Sequence, residues 1–394
     1  MSSEADWVSD DMVARWLRRI DAHQITSVVT MLPMNTNTAV KTNTTVRWGI
    51  LATARIASQV ASAIAATPGA EVVAVASRSA ERAAAWAEQH GVPRSHASYQ
   101  ALLEDDDVDV VYIPLPPSMH AEWTIRSAES GKHVLCEKAL AMNAVEGAEM
   151  AAACHEHNVQ LMDATMWVHH PRAVEMLRPI QNGEIGELRH VASAFSFMID
   201  PYLKSKPSHM AGDPSSETLS LDRIVAHELR FQRSLGGGAL FDLGWYNVRV
   251  ALWAFGAMPA RVFATARYQH DVDINLNAIM WYDDDRVATF DCGYDVTRRK
   301  WFEVAGTAGS VVCDDFLRPE KIDRPRFWLH DQDGNAAEHV SAPVQQEQCM
   351  IDRFCQIVRS GTLESQWPEI SVANQRVCDA VAESARTGKV VEIR

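Results

Sequence analysis

Polar side chains on one predicted helix, together with a lysine elsewhere in the chain, have the types and spacing needed for proton transfer. Asp242 and Tyr246 are four positions apart, which places them on one face of a helix, and Arg249 follows on the same stripe. A tyrosine with an ordinary pKa of about 10 is a weak base at neutral pH, so a nearby lysine cation that favours tyrosinate would assist it. Lys138, at the end of a predicted strand, is the candidate for that cation. The alternative interpretation is a core tyrosine and a helix-capping aspartate.

A triple glycine precedes this helix and a long loop precedes the glycines. Gly236-Gly237-Gly238 allows the chain to turn into the helix close to a bound ligand. The segment between Pro201 and Gly236 is polar and contains proline, and loops of that length inside compact domains are often functional. Arg230 in this loop is therefore a candidate ligand contact, with a surface salt bridge as the alternative.

From Val46 onward, short apolar runs alternate with helical segments. Strands are predicted over Val46–Leu51, Glu71–Ala76, Asp109–Ile113, His133–Cys136 and Val159–Ala164, and helices over Ala54–Thr67, Ala80–His90, Ala121–Ser130 and Ala144–His157. This alternation predicts right-handed crossovers and a parallel, doubly wound sheet that binds ligands at the carboxyl ends of its strands.

The alternation ends near Thr165. Strands are predicted over Leu188–Met198, Ala260–Tyr268, Ile274–Tyr282, Arg286–Tyr294, Lys300–Gly306 and Ser310–Cys313, and helices over Ala239–Phe255 and Val372–Thr387. Successive strands without long helices between them favour a mostly antiparallel open sheet. At the other end of the chain, Asp6 to His23 has the spacing of an amphipathic helix, followed by a polar linker up to residue 45.

The turn after the first predicted strand consists of small residues. It contains Ala52, Thr53, Ala54, Arg55 and Ile56, and alanines stand at positions 52, 54 and 57, where a dinucleotide-binding fingerprint has G-x-G-x-x-G/A. Such a turn holds a pyrophosphate through backbone N–H groups and the helix dipole. The alternative is a tight strand–helix junction without a ligand.

The end of the next strand indicates which dinucleotide binds. NAD enzymes place an acidic residue there to bind the ribose 2′-hydroxyl, whereas this chain has Ser77-Arg78-Ser79 with Arg82 one helical turn later. A guanidinium and two hydroxyls suit the 2′-phosphate of NADP, which a carboxylate would repel. We therefore predict NADP as the cofactor, with NAD possible. A solvated arginine at a helix start is the alternative for Arg78.

Composition and charge limit the other partners. The 394 residues carry a formal net charge of −14, which disfavours binding to nucleic acid or an anionic membrane, and no apolar run is long enough to span a bilayer. The seven cysteines are scattered and form no CxxC pair, which indicates reduced thiols. Together with the charged first 25 residues, this predicts a cytoplasmic protein.

Several motifs together resemble the glucose–fructose oxidoreductase and inositol dehydrogenase (Gfo/Idh/MocA) family. They are residues 115–120 (Leu-Pro-Pro-Ser-Met-His), residues 136–140 (Cys-Glu-Lys-Ala-Leu), the segment 236–246 and the closing segment 382–389. The resemblance covers Val46 to Arg394. It implies that Lys138, from a Glu-Lys-Pro motif, polarises the reacting oxygen and that the Asp-x-Gly-x-His/Tyr motif ending at Tyr246 supplies the acid/base group. The chain departs from the family at Ala139, where proline is usual.

The resemblance also implies further site residues. Leu115, Pro116, His120, Glu137 and Lys138 would line the cofactor site. The family's substrate pocket begins near residue 163, which makes Trp167 and His170 candidate substrate contacts, together with Asp242 and Arg230. Core packing is the alternative for Trp167, and a buried structural role is the alternative for His170. A metal at His169 and His170 is not expected, because neighbouring extended residues point to opposite faces.

These observations predict an α/β protein in three segments. Residues 1–45 form an appendage, 46–165 a dinucleotide-binding Rossmann domain, and 166–394 an α+β domain for substrate binding and oligomerisation into a homodimer or homotetramer through its open sheet. Tyr246, the turn at residues 52–57 and Ser77-Arg78-Ser79 look more like the branch of the family that contains dimeric dihydrodiol dehydrogenases, NADP-dependent xylose dehydrogenases and glucose–fructose oxidoreductase. The resemblance therefore implies hydride transfer between the nicotinamide of NADP and a CH–OH or C=O carbon of a sugar or vicinal diol. Tyr246 would pass the proton, and Asp242 would orient the substrate or Lys138. The alternative is a non-catalytic NADP-sensing or scaffold protein.

Overall fold

The computed structural model describes residues 12–14, 16, 44–199 and 228–393, and the chain divides into two compact units. Unit 1 comprises the described residues up to Arg178 together with Arg318–Arg326 and Val340–Gln375. Unit 2 comprises the described residues of Pro179–Leu317, Phe327–His339 and Arg376–Arg394. No helix within these residues is both long enough and apolar enough to cross a membrane.

Nine α-helices are named here in chain order, counted over residues 44–199 and 228–393. They are α1 Arg55–Ala65, α2 Ala80–His90, α3 Tyr99–Leu103, α4 His120–Glu129, α5 Ala144–Glu156, α6 Pro171–Gln181, α7 Trp245–Phe255, α8 Gln346–Ser360 and α9 Gln366–Thr387. Local chemistry sets several of their ends. At the start of α2 the Ser79 hydroxyl accepts a hydrogen bond from the Arg82 N–H, and at its end Gly91 adopts a left-handed conformation with φ of 66°.

Unit 1 is built on a six-stranded parallel sheet. Its strands are β1 Val46–Leu51, β2 Ala70–Ala76, β3 Arg94–His96, β4 Val110–Ile113, β5 His133–Cys136 and β6 Leu161–Asp163, in the order β3-β2-β1-β4-β5-β6. The order reverses between β1 and β4, so the carboxyl ends of these two strands mark the position where doubly wound sheets bind ligands. This topology confirms the predicted Rossmann sheet.

Two later segments of the chain return to unit 1. Helix α8 packs its apolar face against β1, where the ring of Phe354 lies 5.4 Å from the ring of Trp48. Both rings are buried, so α8 covers one face of the parallel sheet. The observed division therefore differs from the predicted break at residue 165, because sequence periodicity does not indicate which sheet a distant helix covers.

Unit 2 contains a nine-stranded sheet. The strands are β7 Leu188–Ser196, β8 Arg261–Gln269, β9 Val272–Trp281, β10 Val287–Gly293, β11 Arg299–Gly306, β12 Gly309–Cys313, β13 Arg326–Asp331, β14 Ala336–Val340 and β15 Val391–Glu392, in the order β14-β13-β12-β11-β7-β10-β9-β8-β15. The neighbours β7 and β10 are parallel and the other described pairings are antiparallel. This confirms the predicted mostly antiparallel sheet.

Helix α7 covers β7 and β10, and one of its residues is partly exposed. Ten of its eleven residues are buried, and Tyr246 is the exception. The sequence predicts one regular helix over Ala239–Phe255. The structure instead begins this segment with a π-helical turn, Leu240–Gly244, that leads directly into α7.

The predicted N-terminal appendage lies mostly outside the described residues. Residues 12–14 and 16 are helical, and Val13 and Trp16 are buried. The Trp16 ring lies 6.2 Å from the His155 ring, near the end of α5. In unit 1 this is the edge where the parallel strands begin, opposite their carboxyl ends.

Candidate active site

The turn between β1 and α1 has the geometry of a phosphate-binding turn. Ala52 adopts a φ of 102°, a conformation that glycine usually supplies at this point, and its N–H donates to the Ala76 carbonyl at 2.9 Å. Ala54 begins α1 without a side-chain cap, and the first turn of the helix carries no acidic residue. The helix therefore presents its first N–H groups and positive dipole end beside the partly exposed Thr53 and Ile56 and the exposed Arg55.

The end of β2 provides hydroxyl and guanidinium groups. The Ser77 hydroxyl is buried and accepts a hydrogen bond from the Ser79 N–H at 3.3 Å. Arg78 and Arg82 are exposed, and both guanidinium groups act on the Tyr99 hydroxyl. Burial raises the pKa of Tyr99, and the two cations oppose that rise. Two positive charges therefore lie together just beyond β2.

A buried carboxyl precedes Lys138 at the end of β5. The Tyr112 hydroxyl, from β4, donates to Oε1 of Glu137 at 2.6 Å, and the Lys138 N–H donates to Oε2 at 3.3 Å. Burial raises the pKa of Glu137, whereas Tyr112 and the Lys138 cation oppose that rise. Lys138 is partly exposed, and its peptide bond to Ala139 is cis. This network fixes the backbone from which the Lys138 side chain extends.

His120 joins two loops at the same edge of the sheet. Its Nε2 lies 2.8 Å from the Leu115 carbonyl oxygen and its Nδ1 lies 2.9 Å from the Ala139 carbonyl oxygen. The ring is fully buried, which lowers the pKa of His120. Its contribution is to hold the Leu115-Pro116 loop against the turn after Lys138, because both ring nitrogens face backbone carbonyls.

The two substrate contacts proposed near residue 167 have structural positions instead. Trp167 is only 2% exposed and packs within unit 1. His170 is also buried; its Nδ1 accepts from the Arg172 N–H at 3.0 Å, so Nε2 carries the proton and donates to the Val344 carbonyl at 3.1 Å. The expectation that His170 donates to substrate hydroxyls is therefore corrected, because both ring nitrogens already have partners in the protein.

The adjacent histidines also face different surroundings. The ring of His169 lies 4.8 Å from the ring of Trp367, away from the partners of His170. Within residues 44–199 and 228–393, no three histidine, cysteine or acidic side chains are grouped in a way that could hold a metal ion.

The π-helical turn changes the predicted stripe of Asp242, Tyr246 and Arg249. Asp242 lies in the turn and Tyr246 lies in the first turn of α7, and both are partly exposed. Arg249 is buried, with its guanidinium 5.7 Å from the centre of the Trp245 ring. A π turn adds a residue to the helical repeat, so regular helical spacing does not describe this segment; such turns are frequent at functional sites.

Two side chains that are remote in sequence contact Asp242. Its Oδ2 accepts hydrogen bonds from Nε of Arg230 at 2.7 Å and from the Tyr294 hydroxyl at 3.1 Å. Arg230 also donates to the buried Glu228 carboxylate at 2.8 Å. Arg230 therefore pairs with the predicted catalytic aspartate. Sequence analysis missed Tyr294 and Glu228.

The triple glycine lets the backbone pass close to the turn that carries Arg230. A Cβ atom on Gly237 would lie 2.6 Å from the Leu229 carbonyl oxygen and 2.7 Å from that of Arg230. Gly238 has a φ of 123°, which other residues rarely adopt. The glycines thus bring the start of the π turn against the 229–231 segment.

The carboxylate of Asp273, a partly exposed residue on β9, caps the same helical segment. Its Oδ2 accepts from the Leu240 N–H at 2.7 Å, at the start of the π turn. Burial raises the pKa of Asp273 to about 7, and the Leu240 N–H and the Arg386 cation oppose that rise. The pattern Val-Asp-Ile-Asn in β9 contains this acid, but no local signal links it to residue 240.

The predicted residues thus form groups within each unit. Unit 1 contains Lys138 and the predicted cofactor-binding positions, all at or beyond the carboxyl ends of the parallel strands. Unit 2 contains Asp242, Tyr246 and Arg230. The first group has the features of a dinucleotide site, and the second places an ion-paired carboxylate next to a partly exposed tyrosine.

Both halves of the chain match known families. Residues 46–165 match "Oxidoreductase family, NAD-binding Rossmann fold", and residues 174–312 match "GFO/IDH/MocA C-terminal domain". The chain is 32% identical over 353 residues to D-xylose 1-dehydrogenase (NADP(+)) 2 of Haloferax volcanii, covering 88% of this chain and 99% of that protein. It is 28% identical over 281 residues to trans-1,2-dihydrobenzene-1,2-diol dehydrogenase of Xenopus tropicalis, covering 70% and 78%.

A solved structure has the same fold. It is a 3-ketoreductase from Actinomadura kijaniata in complex with NADP and TDP-benzene, with a TM-score of 0.74 and 32% sequence identity. The match covers 86% of this chain and 98% of the ketoreductase.

Proposed function

Because the chain belongs to the Gfo/Idh/MocA oxidoreductase family, we infer that it is an NADP-dependent oxidoreductase of sugars or vicinal diols. It transfers a hydride between nicotinamide and a carbon that is CH–OH in one state and C=O in the other. Relatives that act on xylose and on a dihydrodiol, and a ketoreductase that binds NADP, support this substrate class and cofactor.

The residues at the end of the first two strands fit NADP. The uncapped start of α1 and the small residues Ala52 and Ala54 leave room for a pyrophosphate at the helix N-terminus. Beyond β2, the guanidinium groups of Arg78 and Arg82 supply the positive charge that a 2′-phosphate needs, and the buried Ser77 hydroxyl supports that turn. We propose that Leu115, Pro116 and Glu137 complete the site, with His120 holding its loops together.

The proposed chemistry divides among three side chains. When bound by the residues at the carboxyl ends of the parallel strands, the oxidised cofactor would provide the hydride acceptor and NADPH the hydride donor. In the oxidation direction Tyr246, as the tyrosinate, takes the proton of the substrate hydroxyl and becomes the neutral phenol, and in reduction the neutral phenol returns that proton. Lys138 polarises the reacting oxygen with its cation, and Asp242 orients the substrate or Lys138.

One observation carries this assignment. In a helix whose other ten residues are buried, Tyr246 alone remains partly exposed, and it directly follows the π turn that holds Asp242. A purely structural tyrosine on such a helix would be expected to pack inward with its neighbours. We propose that the partly exposed side of Tyr246 contacts a ligand, while its ring packs edge-on against Phe195 on β7.

Turnover measurements test the function directly. Purified protein is given NADP with a panel of aldoses and vicinal diols, and NADPH with the corresponding carbonyl compounds, while nicotinamide absorbance is followed. We expect turnover with at least one member of the panel and lower activity with NAD. Tight NADP binding without turnover on any substrate would instead favour the sensing or scaffold function.

The open sheet of unit 2 is the proposed subunit interface. Along β9 every second residue is buried, while Ile279 and Trp281 on the other face remain partly exposed, as does Trp301 on β11. Large apolar side chains on an uncovered sheet face favour a homodimer or homotetramer, which light scattering would detect. All seven cysteines are free thiols, which supports a reducing, cytoplasmic location.

A further inference from the structure

Side chains outside its own helix hold the carboxylate of Asp242. Arg230 comes from the 3₁₀ turn Leu229–Phe231 and Tyr294 from the residue just after β10. Both contact the same oxygen, Oδ2, at 2.7 Å and 3.1 Å. We propose that Tyr294 and Arg230 are positioning residues for the reaction, which fix the direction and charge of the Asp242 carboxylate. This inference rests on the proposed function of Asp242.

Tyr294 is suited to be a permanent donor. Its side chain is 1% exposed, and burial together with the Asp242 carboxylate raises the pKa of Tyr294 well above its usual range, so the hydroxyl keeps its proton. That proton lies between Oδ2 of Asp242 and the Gly238 carbonyl oxygen, 3.0 Å away. The hydroxyl therefore links the carboxylate to the glycine turn that precedes it.

Arg230 supplies the compensating charge. Its guanidinium lies between Asp242 and Glu228, so one cation serves two carboxylates. Arg230 is about one-quarter exposed and Glu228 is buried, so the ion pair between them is partly shielded from water. The planar guanidinium fixes the directions of its hydrogen bonds to the two carboxylates. Tyr294 and Arg230 thus hold Asp242 from different segments of unit 2, one as a neutral hydrogen-bond donor and the other as a cation.

The test uses a matched pair of buried tyrosines. Tyr294→Phe removes only the hydroxyl and should lower kcat about 10- to 100-fold, the effect of losing a hydrogen bond to a charged group, with NADP affinity unchanged. Tyr282→Phe is the control: Tyr282 is also buried, it follows β9, and its hydroxyl has no hydrogen-bond partner within the described residues. We expect that variant to keep the wild-type kcat.

A double-variant experiment separates positioning from simple structural support. If Tyr294 acts through Asp242, then Asp242→Asn combined with Tyr294→Phe should be no slower than Asp242→Asn alone. Arg230→Lys, which keeps the charge, should retain more of kcat than Arg230→Met. Independent, multiplicative losses in the double variant would contradict the proposal.

The outcomes distinguish this proposal from the proposed function. If Asp242→Asn abolishes turnover but Tyr294→Phe behaves like Tyr282→Phe, the positioning role is wrong and the function of Asp242 stands. If Asp242→Asn itself retains full turnover, the proposed role of Asp242 is wrong, and the proposal that Tyr294 and Arg230 position Asp242 for the reaction is wrong with it.

Discussion

The surroundings of Asp273 predict how the free energy of unfolding of the protein changes with pH. The carboxylate accepts a hydrogen bond from the Leu240 N–H at the start of the π turn, and burial raises its pKa from 3.8 to about 7. The charged group facing it is Arg386 on α9, and the other titratable neighbours, Tyr294, Tyr268, Cys292 and Cys378, are neutral in this pH range. Folding therefore favours the protonated acid.

The sign follows from proton linkage. An acid whose pKa is raised on folding binds its proton more tightly in the folded state, so the free energy of unfolding falls as pH rises from 3.8 toward 7 and then levels off. Between about pH 5 and about pH 8 the expected loss is about 3 kcal/mol, from two pKa units at 1.36 kcal/mol each. Asp273→Asn cannot titrate and should not show this loss.

Urea unfolding of both proteins at about pH 5 and about pH 8 measures the effect. From about pH 5 to about pH 8, the free energy of unfolding of the wild type should fall by about 3 kcal/mol more than that of Asp273→Asn. A stability difference caused by the amide itself is the same at both pH values and does not affect this comparison. Asp331→Asn is the control, because hydrogen bonds from Asn335 lower the pKa of Asp331. Any stability that the Asp331 carboxylate contributes is lost only when the pH falls below its ordinary pKa of 3.8. The difference in free energy of unfolding between the wild type and Asp331→Asn should therefore stay constant between about pH 5 and about pH 8. A pH-independent difference for Asp273→Asn would refute the argument, because it would mean that Asp273 is ionised throughout.

Three further predictions concern unit 1 and the N-terminal segment. Arg78→Ala should weaken NADP binding by about 2 kcal/mol and leave NAD binding nearly unchanged in equilibrium titrations; equal weakening of both would show that Arg78 does not contact the 2′-phosphate. Ala52→Gly should raise the free energy of unfolding by up to about 1 kcal/mol, since φ is 102° there, whereas Ala61→Gly, in the interior of α1, should lower it; thermal unfolding that ranks them the other way would contradict the assigned backbone. Deleting residues 1–45 should leave NADP affinity unchanged, because Trp16 lies by His155 at the edge opposite the strands' carboxyl ends, and a large loss of affinity would mean that this segment covers the cofactor.

Much of the fold could be predicted from periodicity. Strands such as Val46–Leu51 and His133–Cys136, in which every residue but one is buried, are short and mostly apolar runs, and their predicted bounds match the structure. Strand Ala336–Val340 was missed because all five residues are exposed, so no alternation of buried and exposed positions marks it. Helix Gln346–Ser360 was missed although it has a buried apolar face, and its return to the first sheet has no local signal.

The site was predictable only where a motif is local. Lys138, Asp242 and Tyr246 follow from short motifs, whereas the contact between Asp242 and Tyr294 joins residues 52 positions apart through the packing of a helix on a sheet. The π turn was missed because ten of the eleven residues of the helix after it are buried, so no polar face reveals that the helical repeat has shifted by one residue. His170 was misjudged because the partners of its ring nitrogens are backbone groups, which sequence does not display.

The most direct test of the account is the turnover of Tyr246→Phe with NADP affinity measured on the same sample. The ring is retained, so folding and NADP binding should be unchanged, while turnover falls by about 100- to 10,000-fold, the usual contribution of general acid–base catalysis. Lys138→Met should give a comparable loss, and the double variant should be little slower than either single one. Near-normal turnover of Tyr246→Phe with an unchanged pH profile would contradict the assignment of proton transfer to Tyr246.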